Sequence, residues 1–341
     1  MTVASPADHV GAFLDLALVG NARQATSVAL ELLDSGVPED VVIADLLAAA
    51  QRQVGDRWHR DELGVADEHI ATGVSETALY ALADAAASPI ATGLVVVACA
   101  EGDWHALAAH MFAEQLRANG VTVAFLGAST PADQVARFLD RHHPEALAVS
   151  CNLPLFFEGV ARLADVAHRV GVPVLVGGRA LDGHPGAPLR LGADGAADNI
   201  ADALEILTCW RENDTPVSVD PVQLAPEAVE LESRAVELAD DAFDDLARRF
   251  TAISTYDTTQ LTRTREDLAF IVRFIAAAQL VDDPVVFTDF LDWQAQLLAA
   301  RGVPSAALVA GLQSLQPLLS LVSVGAGRLG DMGLRHFAVG S

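Results

Sequence analysis

From about residue 89 to 213, short runs of β-branched and apolar residues alternate with helical patterns, and no other feature constrains the fold as strongly. GLVVVAC is followed by a helix over about 104–118 and VTVAFLG by one over 131–142. ALAVSC precedes a helix over 155–170, and VPVLVGG precedes a last one near 199–212. Strands that alternate with helices long enough to cross back predict a parallel sheet covered on both faces, a doubly wound α/β domain. Such sheets bind ligands outside the carboxyl ends of their strands, so the loops after each run are the first place to look for chemistry.

The flanks have a different texture. Residues 1–88 are rich in Ala and Leu at helical spacing and are punctuated at Gly20, at Ser35-Gly36-Val37-Pro38 and at Leu63-Gly64, which predicts a four-helix bundle. A Pro- and Asp-containing linker spans 214–226, and residues 227–341 read as helices only. There a first helix is expected over 227–252. Thr264 with Asp267 suggests a capping box for a second reaching about 281. A third follows Asp283-Pro284, and a last one follows Pro304-Ser305.

Composition narrows the classes. The 341 residues carry 46 acids against 21 bases, all Arg, for a net charge of −25. That balance argues against direct nucleic-acid binding and against an anionic membrane surface. Hydropathy leads to no expected membrane span, and three scattered cysteines, Cys99, Cys151 and Cys209, suggest a reducing cytoplasm.

The loop after the first strand reads Ala98-Cys99-Ala100-Glu101-Gly102-Asp103-Trp104-His105. A carboxylate two residues before a His can accept one ring N–H, fix the tautomer and leave the other nitrogen for a metal. On these residues alone, a solvated loop His is the commoner reading. In a flavodoxin-like domain behind a four-helix bundle, however, Asp-x-His resembles the cobalamin-binding module. The resemblance implies that His105 is the lower cobalt ligand in place of the cofactor's own base, with Asp103 supporting it. The family pattern, acid-x-His-x-x-Gly, is met here except that Ala108 stands where the Gly would be. Ser150, in AVSCNLP, matches the Ser that contacts the nucleotide tail. Gly177 and Gly178, in VLVGGRA, match the glycines that let that tail approach the backbone. In the bundle, Trp58 is followed after nine residues by Glu68-His69, which resembles the upper-face motif of the CarH-like cobalamin photoreceptors. That likeness implies that Trp58 shields an adenosyl group while Glu68 and His69 line the upper site.

The last third carries no His between His184 and His336 and no Cys after Cys209, which argues against a haem globin and against a thioether-linked bilin there. Residues 220–247 hold nine acids and one Arg, whereas 248–341 hold eight of each. Arg249, Arg265 and Arg273 lie near Tyr256 and Asp257. Arg forks suit propionates, Asp suits pyrrole N–H groups, and Phe270, Phe274, Phe287, Phe290 and Trp293 could wall the rings. A helical interaction domain with a solvated Arg face and an aromatic core fits the same residues. The whole layout resembles the photocobilins, in which a CarH-like cobalamin module is joined to a helical, globin- or phycobiliprotein-like domain holding biliverdin. The resemblance implies a light sensor, not an enzyme, with adenosylcobalamin and a noncovalent bilin as cofactors and a homo-oligomer or a downstream protein as partner. A corrinoid carrier or methyltransferase subunit, and a cobalamin-binding module whose last domain recruits a partner, are the alternatives.

Overall fold

The computed structural model describes residues 5–86, 89–213, 217 and 221–338. The expected bundle boundary at 88 and positions 214–216 and 218–220 of the expected linker lie outside the described residues.

The bundle forms where the punctuation predicts. Helices α1 (Val10–Leu18) and α2 (Ala22–Asp34) turn at Gly20, whose φ is +70°. Asn21 caps α2 by accepting the Gln24 amide. The next helix runs through α3 (Glu39–Val42), a π-helical segment Ile43–Ala48 and α4 (Ala49–His59). Helix α5 (Val65–Ala85) begins where the Asp67 carboxylate accepts the Gly64 amide at 2.8 Å. Phe13, Leu14, Leu32, Ile43, Leu46, Leu79 and Leu82 close the bundle core, and Met111 of the next domain joins them. The bundle is therefore seated on the sheet domain through an apolar contact.

Strands β1 (Thr92–Cys99), β2 (Val121–Gly127), β3 (Ala146–Ser150), β4 (Val174–Gly177) and β5 (Gly195–Ala196) pair in the order β2-β1-β3-β4-β5, all parallel. This is the flavodoxin-like order, with its switch point between β1 and β3. Helices α6 (Ala106–Ala118), α7 (Ala132–His142), α8 (Phe157–Arg169), the short α9 (Ala187–Arg190) and α10 (Ile200–Glu212) complete the wound layers. Strand β5 escapes sequence reading because two residues leave no periodicity to detect.

Five helices make the C-terminal region: α11 (Pro226–Arg249), α12 (Thr258–Val281), α13 (Val285–Ala300), α14 (Ser305–Val322) and α15 (Val324–Ala338). Three expectations need correction. Helix α12 starts at Thr258, not beyond Thr264, because Asp257 and Gln260 form the capping box and the Thr264 hydroxyl bonds back to the Gln260 carbonyl. The last helix is two, divided at Ser323, whose hydroxyl accepts the Ala326 amide. Residues 302–327 carry no charged side chain, and α14 is long and apolar enough to cross a membrane by length and composition. Its Leu308, Leu312, Leu315 and Leu319 are instead buried among the neighbouring helices. The helical region also shares one continuous core with a sheet face, from Val96, Phe157 and Val160 to Leu268, Ile271 and Phe274.

Candidate functional site

The sheet register builds the site's floor. Cys99 pairs across from Ser150, and Ser150 from Gly177, so the ends of β1, β3 and β4 form one row at the switch point. The loop leaving β1 is held by its own hydrogen bonds. Ala100 donates its amide to Ser150 O at 2.8 Å, Asp103 to Ala100 O at 2.9 Å, and Gly102 to Ser129 Oγ at 3.1 Å. Gly102 sits at φ +93°, where a side chain would be strained.

Four donors converge on Asp103, which is wholly buried. Its Oδ1 accepts the His105 amide at 2.9 Å and His105 Nδ1 at 2.7 Å. Its Oδ2 accepts the Asn152 amide at 3.0 Å and Asn152 Nδ2 at 3.2 Å. Burial alone would raise the Asp103 pKa, but these hydrogen bonds outweigh it and hold the carboxyl below its ordinary range. The His105 pKa is raised, chiefly by the hydrogen bond to Asp103 and further by the charge of Glu68. The side chain of His105 is 55% exposed, and among the described residues no hydrogen bond engages its Nε2. The result is an oriented, electron-rich imidazole with one nitrogen available, as a metal-bound His needs. Burial pushes the neighbouring Cys99 thiol up to about 12 and raises Cys151 as well, so both stay protonated. Asn152 is a site residue that sequence reading missed, since only the fold brings it to Asp103.

One helical turn beyond His105 a cavity of about 160 Å³ opens beside the sheet, lined among others by Ala108, Phe112, Ser150, Gly177, Gly178 and Asn199. The structure thus gathers Ser150, both glycines and the Ala that replaces the pattern's Gly around one cavity. The cavity stays open despite the Ala108 methyl. The fold has its own need for the glycines. A Cβ on Gly177 would stand 2.8 Å from Ala197 O, and one on Gly178, at φ +110°, 2.4 Å from Cys151 O. Protein backbone by itself already demands glycine at both positions.

On the bundle side, Glu68 is half-buried and its charge reaches His105, while His69 is exposed. Trp58, in the last turn of α4, stacks on Trp293 of α13 at 6.4 Å between centroids, and the Arg301 guanidinium lies 5.1 Å from its ring. Sequence reading found Trp58 but not these partners.

In the helical region Arg249 lines an open cavity of about 510 Å³ together with Phe250, Val309, Gln313 and Phe337. Tyr256, Asp257, Arg265 and Arg273 are not among its lining residues. Tyr256 packs on the core, and Asp257 caps α12. Arg265 lies 3.6 Å over the Phe243 ring and pairs with Asp240, Arg273 pairs with Glu232 at 2.6 Å, and Arg249 itself pairs with Asp245. Phe274 and Phe290 stack on each other at 3.9 Å.

A helical bundle seated on a flavodoxin-like sheet, with an acid-held imidazole at the switch point and a cavity running beside the strands, defines the class of corrinoid-binding modules. Residues 11–83 and 93–207 each match a family described as a B12 binding domain, and together they form a cobalamin-binding module. The HTH-type transcriptional repressor CarH of Myxococcus xanthus is 32% identical over 157 residues, covering 45% of this chain and 50% of that protein. The chain therefore spans half the length of that curated relative. A Methanosarcina barkeri monomethylamine corrinoid protein superposes with a TM-score of 0.50 at 22% identity, over 57% of this chain and 94% of its own, a likeness of fold.

Proposed function

We propose that this cobalamin-binding protein is a light sensor that takes adenosylcobalamin at the sheet edge and a bilin, biliverdin, in its helical region. The observation that carries the reading is His105, held through Nδ1 by a buried carboxylate and with Nε2 available beside the cavity that begins at Ala108. In this reading His105 would hold the cobalt through Nε2, and Asp103 would fix its tautomer. Ser150 and Ala108 border the nucleotide tail, and Trp58, Glu68 and His69 cover the upper face. When bound, adenosylcobalamin supplies a weak cobalt–carbon bond that light breaks. Arg249 at the large cavity is the cation best placed for a bilin propionate. The output is a change in self-association or in contact with a downstream protein, and the chain acts as a sensor, not an enzyme.

Reconstitution of the full chain with adenosylcobalamin and biliverdin, followed by illumination, tests this. Loss of the alkyl-cobalt bands accompanied by a light-dependent change in oligomer size supports the sensor. Photolysis without any change in size or conformation removes it. A second reading, a corrinoid carrier for methyl transfer, is favoured by the fold shared with the corrinoid protein. It requires a reducible cobalt and a methyl donor, with light irrelevant.

A further inference from the structure

Trp58 belongs to the bundle, yet what fixes its ring comes from elsewhere in the chain. Helix α4 buries only Ala50 and Val54 in the bundle core, and Trp58 stands one turn beyond them, half-buried. Its aromatic neighbour is Trp293, in stacked orientation with 23° between the ring planes, and Trp293 also meets the His59 ring at 5.3 Å. Arg301, just past the end of α13, lies over the Trp58 indole and faces Asp61 at 3.6 Å, while donating to Leu297 O at 3.2 Å. A ring stacked on one indole and held by a guanidinium has lost the rotamer freedom it would have on a bare helix end. Trp293 is in turn anchored inward through Phe290, at 6.4 Å, to the Phe274 stack in the helical core.

We propose that Trp293 and Arg301 are positioning residues for Trp58, so that the helical region, and not the bundle alone, sets the roof over the upper cobalt face. The inference rests on the assignment of Trp58 to that roof. Its consequence is linkage: if docking of α13 selects the Trp58 rotamer that accepts a bulky upper ligand, occupation of that face must favour the docked arrangement by the same factor. The two regions are then energetically one device, although each cofactor site is built from its own residues.

The test uses the full chain in the dark and two probes that differ only in the upper ligand, adenosylcobalamin and hydroxocobalamin. The readouts are the ratio of their dissociation constants and the difference in thermal midpoint between the two loaded forms. Trp58→Leu is expected to shift the ratio by about fivefold or more, at the lower end of typical couplings. Trp293→Leu should shift it in the same direction and to a similar extent, the double variant should add nothing further, and Trp293→Phe should restore at least half. A Trp58→Leu effect that Trp293→Leu does not reproduce overturns this inference alone. A Trp58→Leu without effect overturns the upper-face assignment and this inference with it. Equal losses of thermal stability with both probes and an unchanged ratio mean that the contact is interdomain glue, which also overturns it. Should Trp293→Leu fail to fold, Arg301→Gln, which leaves the aromatic core intact, carries the test. A shift of about twofold in the same direction supports the inference, and none overturns it.

Discussion

The carboxyl edge of the sheet and the flank of the helical region spend their charges differently. At the sheet edge, four donors converge on Asp103, and the imidazole it holds keeps Nε2 uncommitted. On the helices, Arg249, Arg265 and Arg273 are each already matched to a carboxylate, Asp245, Asp240 and Glu232. The first arrangement holds one ring nitrogen in reserve; the second is largely satisfied without a ligand. A binding site shows itself by the bonding capacity left over after folding, and by that measure the two regions are far apart.

The comparison breaks most directly at His105. His105→Ala removes the imidazole that Asp103 orients. Cobalamin affinity should then fall by more than the tenfold to hundredfold that loss of a supporting carboxylate typically costs. Any cobalamin still bound should keep its own base on cobalt, as read from its absorption spectrum. An unchanged spectrum would remove His105 from the role.

Asp103→Asn asks whether the support matters as the geometry implies. The amide can no longer accept from His105 Nδ1 and from Asn152 without turning a donor toward one of them. Affinity should fall by about tenfold to a hundredfold. The pH dependence follows the same logic. The raised His105 pKa means that a proton competes with cobalt as pH falls through a value above the ordinary 6.5, so acid should weaken binding. In Asp103→Asn the apoprotein's His105, followed by NMR, should titrate lower than in the wild type. Titration at the wild-type value would show that the carboxylate does not set it.

How much of this was legible in sequence depends on the distance over which each feature is built. Asp103 and His105 are two residues apart, and their contact is the one their spacing implies. Asn152, which completes the carboxylate's shell, and Trp293, which holds Trp58, are remote in sequence and become neighbours only through the fold. Gly177 and Gly178 do line the cavity, but the close backbone at Ala197 and Cys151 that also requires them is something no local pattern reveals. Asp257-x-x-Gln260 and Thr264-x-x-Asp267 both satisfy a capping pattern, and the earlier box sets the helix start. The four longer sheet-region helices and the bundle were legible because their apolar periodicity is continuous; the short α9 and two-residue β5 have none.

Helix α12 offers a smaller effect that sharpens the contrast, a carboxylate on the satisfied side that is not at ease. Burial pushes Asp267 up to about 6 from 3.8, against the hydrogen bond donated by Gln294 Nε2 at 3.0 Å. The folded protein therefore holds a proton that the unfolded chain releases. The stability this contributes is present below pH 3.8 and is lost as pH rises through about 6. Asp267→Asn keeps an acceptor for Gln294 and removes the charge. It should stabilise the protein at pH 8 by about 1–2 kcal/mol, allowing for partial solvent contact, and by little at pH 4. Denaturant unfolding at the two pH values measures both, and equal effects would place the charge in water.

The smallest effect concerns the large cavity, because Arg249 has to leave Asp245 to serve a ligand. If biliverdin binds there, Arg249→Gln should weaken it by only about threefold to tenfold, the worth of one partly exposed ion pair set against the one given up. Arg265→Gln and Arg273→Gln should leave biliverdin affinity within about twofold and show their cost in stability, since their partners Asp240 and Glu232 belong to the fold. Titration followed by bilin absorbance separates these outcomes. If Arg273→Gln weakened biliverdin most, the bilin would lie against α11 and α12 and not in the cavity beside Phe250, and the helical region would hold a spare bonding group that its ion pairs conceal.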